Sequence, residues 1–335
     1  LPSNDINVKV TCSNSTDPWY NLALEEYLLR DINENEIILY LWQNENTIVI
    51  GRNQNPWKEC KCKKLENEGG KLARRLSGGG AVYHDLGNLN FTFVMDKNLY
   101  DVDRQLNVIL QAVRSFGIDA EFSGRNDLTV HSKKFSGNAF YFLDKSSYHH
   151  GTILVDTDFN KLTDYLQVSK EKINSKGIDS VRSRVINLSE LSDILTTEGM
   201  KRSLINSFEN IYGKSSTVIN VDNDTYNIQE LYDKYASWEW RYGEAPKFDI
   251  TFDKRFSWGG FELGLILKNG HIKEAKIYSD AMNGHLIQKM ASCLLDVPFI
   301  MDKIINAIGS ISTDKADKLI INDVTHWLVE KSKSI

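Results

Sequence analysis

Three consecutive glycines, Gly78–Gly80, interrupt two strand-like stretches, KLARR and AVYH, and this run constrains the chain more than any other feature. Glycine loses more backbone freedom on folding than any other residue, so a triplet inside a strand would be costly. The run is therefore expected to form a tight loop whose bare amides can approach an anion. Arg74, Arg75 and Ser77 add donors at its edge, and the segment RRLSGGGAVYHD reads as a cradle for a phosphate or a carboxylate. The plainer reading is a hairpin turn carrying two surface arginines, since glycine clusters mark turns more often than sites. A Walker A loop is excluded, because no Lys-Ser/Thr pair follows at the required spacing.

Two further clusters carry charge. SGRNDLTV, from Ser123, is followed by Lys133-Lys134-Phe135-Ser136-Gly137. Asn126 and Asp127 offer the oxygen ligands that magnesium prefers. A lysine beside Ser-Gly can neutralise a phosphate or a substrate carboxylate, although taken alone the stretch is an exposed Lys-Lys turn. KGIDSVRS, Lys176–Ser183, is a locally basic loop: either a solvated loop or an anion-binding flap with Gly177 as its hinge. His149-His150 lies beside a β-rich run, where a satisfied structural histidine is the commoner case.

Composition removes several function classes. The net charge is 40 − 45 = −5, which argues against a nucleic-acid binder. No apolar run approaches the roughly 20 residues that span a bilayer, and LPSNDINVKV lacks the apolar core of a signal peptide. Four cysteines make no disulfide framework in 335 residues, so a cytoplasmic protein without membrane attachment is expected. Cys60-x-Cys62 has no second pair at zinc spacing.

A chain of this length exceeds the usual single core. Asp17-Pro18 opens an amphipathic helix through Arg30, with Asp17 at the N-cap and Pro18 at the first helical position. EIILYLW (Glu36–Trp42) and TIVI (Thr47–Ile50) read as buried strands. Asp101–Phe116 and Thr197–Tyr212 carry helical stripes, and Phe159–Leu166 is a shorter helix. Phe261, Leu263, Leu265 and Leu267 alternate before the hairpin signal Asn269-Gly270. A boundary near Glu244-Ala245-Pro246 divides the chain into residues 1–246 and 247–335. Strands and helices are interspersed without a βαβ repeat, which predicts an α+β fold: a large mixed-sheet domain followed by a small α+β accessory domain.

Six stretches together resemble the lipoate–protein ligase A family, in that family's order and approximate spacing. They are GRNQNPWKE (Gly51–Glu59), RRLSGGGAVYHDLGNLNFTF (Arg74–Phe93), SGRNDL (Ser123–Leu128), KFSGNA (Lys134–Ala139), HHGTIL (His149–Leu154) and SKGIDSVRSRVINL (Ser175–Leu188). SWEWRYGEAPKF (Ser237–Phe248) is similar to the family's inter-domain segment, and FSWGGFEL (Phe256–Leu263) to the start of its accessory domain. The resemblance implies a catalytic domain of the biotin protein ligase and class II aminoacyl-tRNA synthetase type. It implies an ATP site at Arg75, Gly80, Ala81, Val82, Tyr83 and Lys134, and a lipoate site at Arg75, Ser77, Gly78, Gly79 and Lys134. Lys176, Gly177, Ser180, Val181, Arg182 and Ser183 would close over the adenylate, and Asn126 and Asp127 would serve magnesium. The implied acceptors are lipoyl domains of 2-oxoacid dehydrogenase complexes and the glycine-cleavage H protein.

Under that resemblance lipoate carboxylate attacks the α-phosphorus of ATP, and an acceptor lysine then displaces AMP. Two anions must meet, so Lys134, Arg75, the loop amides and magnesium would neutralise developing charge. Two rivals remain open: an ATP-independent lipoyl or octanoyl transferase, and a non-catalytic scaffold that binds lipoylated proteins. A cysteine-dependent acyl transfer lacks a thiol between Asp85 and Gly151.

Overall fold

The computed structural model describes residues 6–123, 127–166, 184–213, 216–222, 225–242, 250–268 and 270–332. The chain forms two compact units. The first comprises Leu1–Ile50, Pro56–Arg75 and Ala81–Arg241; the second comprises Gly51–Asn55, Leu76–Gly80 and Tyr242–Ile335. Two short loops from the early chain, one of them the glycine run, thus belong to the second unit. The expected boundary at Glu244-Ala245-Pro246 lies outside the described residues.

In the first unit, β1 (Asn7–Ser13) precedes helix α1 (Pro18–Asp31). The Asp17 carboxylate accepts from the Trp19 amide at 3.0 Å, and Pro18 needs no such partner, so cap and first turn form as expected. The helix is not amphipathic, however. Ten of its residues are buried, Glu25 and Glu26 among them, because it is enclosed by protein on most of its circumference. The strands that follow are β2 (Glu36–Trp42), β3 (Thr47–Ile50), β4 (Lys71–Arg74), β5 (Val82–His84) and β6 (Asn88–Asp96), with the short helices α2 (Pro56–Glu59) and α3 (Cys62–Asn67) between β3 and β4. After helix α4 (Val102–Arg114) come β7 (Glu121–Ser123), β8 (Asp127–Val130), β9 (Lys133–Phe142) and β10 (Ser146–Leu154). Helix α5 (Phe159–Tyr165), the helix Thr197–Tyr212, β11 (Thr217–Val221) and the helices Gln229–Ala236 and Trp238–Arg241 follow.

Among the described residues the main sheet has eight strands in the order β11-β1-β2-β6-β10-β9-β8-β7. β1 runs parallel to both β11 and β2, and the other pairings are antiparallel, so the sheet is mixed. One face packs on α4 and on Thr197–Tyr212 through a core that includes Leu39, Phe91, Phe93, Ile109, Leu204 and Phe208. Full burial of one such side chain contributes about 1.5–3 kcal/mol. Phe208→Ala would leave a void beneath Phe93 and cost about 3–5 kcal/mol.

The second unit is built on an antiparallel sheet of β12 (Ile250–Phe256), β13 (Gly259–Lys268) and β14 (His271–Ser279). Phe261, Leu263 and Leu265 face a core shared with the helices Gly284–Ser292, Met301–Gly309 and Lys315–Ser332. Gly270, at φ +74°, closes the β13–β14 hairpin that the Asn269-Gly270 pair predicts. Mixed sheet in the first unit and a small sheet-and-helix core in the second bear out the α+β expectation. No helix among the described residues is long and apolar enough to cross a membrane.

Candidate functional site

The glycine run is not a hairpin. β4 and β5 do not pair with each other; they flank β3 on opposite sides, β4 parallel and β5 antiparallel. The segment between them must therefore carry the chain across β3, which a two-strand turn would not do. β5 is the outer strand of this small sheet among the described residues, so one backbone edge of Val82–His84 is not taken by a neighbouring strand.

The three glycines answer different demands. A Cβ on Gly78 would lie 2.4 and 2.3 Å from the carbonyl oxygens of Ala281 and Met282, inside any permissible contact. Gly79 sits at φ +89° and donates its amide to the Ala281 carbonyl at 3.2 Å. The first glycine is thus required by close approach, the second by the left-handed backbone. Gly80 has neither constraint, since a Cβ there would meet nothing within 4 Å.

The two arginines also part company, and neither is on the surface. The Arg74 guanidinium donates to the backbone carbonyls of Trp240 (2.8 Å) and Arg241 (2.9 Å), and the Trp240 indole donates back to the Arg74 carbonyl (2.9 Å). Arg74 pins the short helix Trp238–Arg241 to β4. Arg75 is only 6% exposed and donates to the Val49 carbonyl at 3.1 Å. Burial pulls its guanidinium down to about 10, with Tyr148 and Glu25 opposing the shift, so it stays cationic at neutral pH.

Around Arg75 lies a buried polar chain that the sequence did not reveal. The Glu25 carboxylate accepts from the Thr92 hydroxyl (2.7 Å) and from His150 Nδ1 (2.8 Å), and Thr92 accepts from the Trp42 indole (3.1 Å). The one available signal was a pair of glutamates inside the apolar run LALEEYLL. Burial first, then Arg75 and His150, hold His84 down at about 3, so it stays neutral. His149 is the structural histidine expected of it: wholly buried, held by Gln105 (3.0 Å) and Asn138 (2.8 Å), and pulled down to about 3 by burial.

Lys134 stands in β9, two residues past a turn in which His131 and Ser132 both adopt positive φ. Its backbone is fixed on one side by the amide-to-Arg184 carbonyl bond (2.7 Å) and the return bond from the Ile186 amide (3.0 Å). Its ammonium lies 2.7 Å from the Asp127 carboxylate, and both side chains are little more than one-third exposed. The aliphatic end of the lysine crosses Gly137, where an added Cβ would come within 2.6 Å of Nζ. A half-exposed ion pair of this kind stabilises a fold by only about 0–1 kcal/mol.

Of the two residues expected to serve magnesium, the structure describes Asp127 alone. Asp127 is engaged by Lys134, Asn126 lies outside the described residues, and among those described no three His, Cys, Asp or Glu side chains cluster as metal ligands. Lys176, Gly177, Ser180, Val181, Arg182 and Ser183 also lie outside the described residues. Their flanks are held: Leu166 bridges to Cys60, and Val185 bridges to Lys134. Tyr83 is buried, with its hydroxyl donating to Asn46 at 3.3 Å and its ring packed 5.8 Å from that of Tyr165. A cavity of about 760 Å³ opens beside it, but Asp17, Glu45, Glu68 and Asp85 line the wall along with Lys71 and Lys161. That balance of charge disfavours a polyphosphate, so Arg75 and Lys134 are the better anion candidates.

The family described as "Lipoyl protein ligase A/B catalytic domain" matches residues 17–209, more than half of the chain. The chain belongs to that family. A second family, "Bacterial lipoate protein ligase C-terminus", matches residues 245–328. The chain is 40% identical to a lipoate-protein ligase A of Psychrobacter cryohalolentis, over 97% of this chain and 98% of that one. Among solved structures it is similar to LipL1 of P. falciparum in complex with lipoate, with 34% identity, a TM-score of 0.85, and coverage of 97% and 100%. It is also similar to a lipoate-protein ligase A bound with ATP, with 25% identity, a TM-score of 0.63, and coverage of 71% and 99%. Membership of the lipoyl protein ligase family bears out the resemblance carried by the six motifs.

Proposed function

We propose that this protein is an ATP-dependent lipoate–protein ligase: it joins lipoate to AMP and then passes the lipoyl group to a lysine of an acceptor protein. The observation that carries the reading is Lys134, an ammonium on a rigid strand in a chain similar to ligases captured with lipoate and with ATP. An ammonium has three N–H donors, and Asp127 occupies one direction. The other donors would serve the two anionic reactants.

In the first half-reaction a lipoate carboxylate oxygen forms a bond to the α-phosphorus, and the bond to pyrophosphate breaks. Lys134 faces the carboxylate and the α-phosphate, and buried Arg75 supplies a second fixed cation in a low-dielectric surrounding. Gly80 leaves backbone room for the nucleotide, the free edge of Val82–Tyr83 offers amides and carbonyls to the base, and Ser77–Gly79 contact lipoate. Magnesium would enter as the counter-ion of the nucleotide. Lys176–Ser183 would complete the adenylate contacts, a reading supported by their basic residues. In the second half-reaction an uncharged acceptor amine attacks the mixed-anhydride carbonyl, AMP leaves, and the amine proton passes to water.

Residues 1–246 carry the chemistry in this reading, and 247–335 form the accessory domain. Acceptors are lipoyl domains, including those of 2-oxoacid dehydrogenase complexes and the glycine-cleavage H protein. Four free cysteines support a reducing, cytoplasmic location. The decisive measurement is lipoate-dependent exchange of labelled pyrophosphate into ATP. Exchange identifies the adenylate route; ATP-independent lipoyl transfer with no exchange rules it out.

A further inference from the structure

We infer that Asp127 is a positioning residue for Lys134, rather than a metal ligand, and that Gly137 completes the same device. The inference rests on the adenylation reading above. Three observations converge on it. Asp127 and Gly137 are direct partners across the β8–β9 ladder, so the carboxylate and the bare Cα share one rung. The Lys134 side chain reaches over that rung: its Nζ is 2.7 Å from Asp127 and would be 2.6 Å from a Cβ at position 137. The lysine backbone is meanwhile fixed from the far side by residues 184 and 186, so only the side chain remains to be aimed.

A lysine carries four flexible methylenes, and a compact ammonium has no directional preference of its own. Without a tether the ammonium would sample many rotamers, and one fixed geometry with respect to two reactants would be rare. Asp127 selects one rotamer family. The absent side chain at Gly137 opens the lane through which the aliphatic stem passes. The pair is too exposed to matter much for folding, so its consequence falls on orientation.

A carboxylate beside a site for two anions works against binding them, and this gives the inference a sharp signature. If Asp127 acted through charge alone, Asp127→Asn would tighten ATP and lipoate and raise the rate. If it were a metal ligand, the variant would need more magnesium. As a positioning residue it should lower kcat for pyrophosphate exchange by about tenfold. Apparent KM for ATP and lipoate should stay within about twofold, and the magnesium midpoint should not move.

The decisive form is a double-mutant cycle with Lys134→Ala, read by pyrophosphate exchange in the full-length protein. Asp127→Asn should cost nothing further once the lysine is gone, because the two residues act as one unit. Gly137→Ala provides an independent arm. It should reduce kcat with thermal stability preserved, since a flexible lysine end can move aside, and it too should be silent in the Lys134→Ala background. Undiminished kcat in Asp127→Asn, additive losses in the cycle, or a tenfold rise in the magnesium requirement would each overturn the inference while leaving the ligase reading intact. Wild-type exchange in Lys134→Ala itself would remove the role of Lys134, and with it this inference, while the adenylate route would stand.

Discussion

In the β8–β9 corner, charge resides in one side chain: Lys134 reaches across a rung of the sheet and is aimed by what surrounds it. In the loop Leu76–Gly80, the chemistry offered is backbone, and the side chains are kept small so that the main chain can approach its neighbours. The first region is tolerant in stability and intolerant in geometry, because its ion pair is half-exposed. The second is intolerant in both, since two of its three glycines are fixed by contacts at 281–282 or by a left-handed φ. A charge carried by one side chain and a main chain held close to its neighbours thus place different demands on the sequence, and the two regions should break differently.

The largest effect is expected at Lys134. Removing a cation placed between two anionic reactants raises the barrier by about 3 kcal/mol, so Lys134→Ala should slow lipoate-dependent pyrophosphate exchange by about a hundredfold. Its melting temperature should stay near that of the wild type, because the lost ion pair is solvent-screened. A variant that keeps its exchange rate, or one that unfolds, would erase the contrast with the loop.

Within the loop, the substitutions should sort by glycine. Gly78→Ala drives a methyl into two carbonyl oxygens and should destabilise the protein by about 1–3 kcal/mol in denaturant titrations. An added Cβ at Gly80 meets no described atom within 4 Å beyond its chain neighbours, so in Gly80→Ala stability should be preserved while the apparent KM for ATP rises. Gly79→Val is the less informative test, since φ +89° strains any branched residue whether or not a ligand is present. Unchanged nucleotide binding in Gly80→Ala would mean that the space beside this glycine serves no ligand.

These differences mark where the sequence was legible. Continuous β-rich apolar runs located β2 and β3, and apolar periodicity located the helix Thr197–Tyr212, with the observed bounds, because burial is written directly in residue type. The same logic failed for α1, where enclosure on most sides leaves no polar face to read. The glycine triplet signalled a loop, but the crossing over β3 depends on which strands pair, and pairing is a long-range property. The turn at His131-Ser132 carried no signal, as neither residue is a usual occupant of a left-handed two-residue hairpin. Charged residues named the candidates Arg74, Arg75, Asp127 and Lys134. Their partners (a helix end for Arg74, the Glu25 chain near Arg75, Lys134 for Asp127) are set by long-range folding.

Acid should distinguish the regions more gently. His149 braces β9 through Asn138, and His84 follows β5's Tyr83; burial holds both near 3, against an unfolded value near 6.5. Between those values the unfolded chain binds more protons, so the stability these histidines contribute is present above pH 6.5 and lost as pH falls towards 3. Leu76–Gly80 contains no group that titrates there. Wild type should lose on the order of 2 kcal/mol more than His149→Gln between pH 6.5 and 4. Equal losses would show that His149 is not held neutral by its surroundings.

The smallest effect is expected from the cysteines, which lie in neither region. A covalent acyl-transfer route needs a thiolate, and these thiols are poorly suited to supply one. Burial pushes the Cys12 thiol up, and it pushes Cys293 up to about 11. Cys60 is raised by its hydrogen bond with Cys62 and by burial, while that same bond lowers Cys62. Cys62 is the nearest to a reactive thiol, yet it is 7% exposed and its Sγ is directed at the Pro56 and Cys60 carbonyls, 3.5 Å from each. Replacing all four residues with Ser or Ala should therefore leave ATP-dependent lipoylation within about twofold of wild type, apart from some loss of stability at the buried pair. The readout is mass-spectrometric detection of lipoylated acceptor with and without ATP, alongside a melting curve. Loss of transfer in a folded variant, or full transfer by the wild type without ATP, would move the chemistry from the lysine corner and the glycine loop to a thiol.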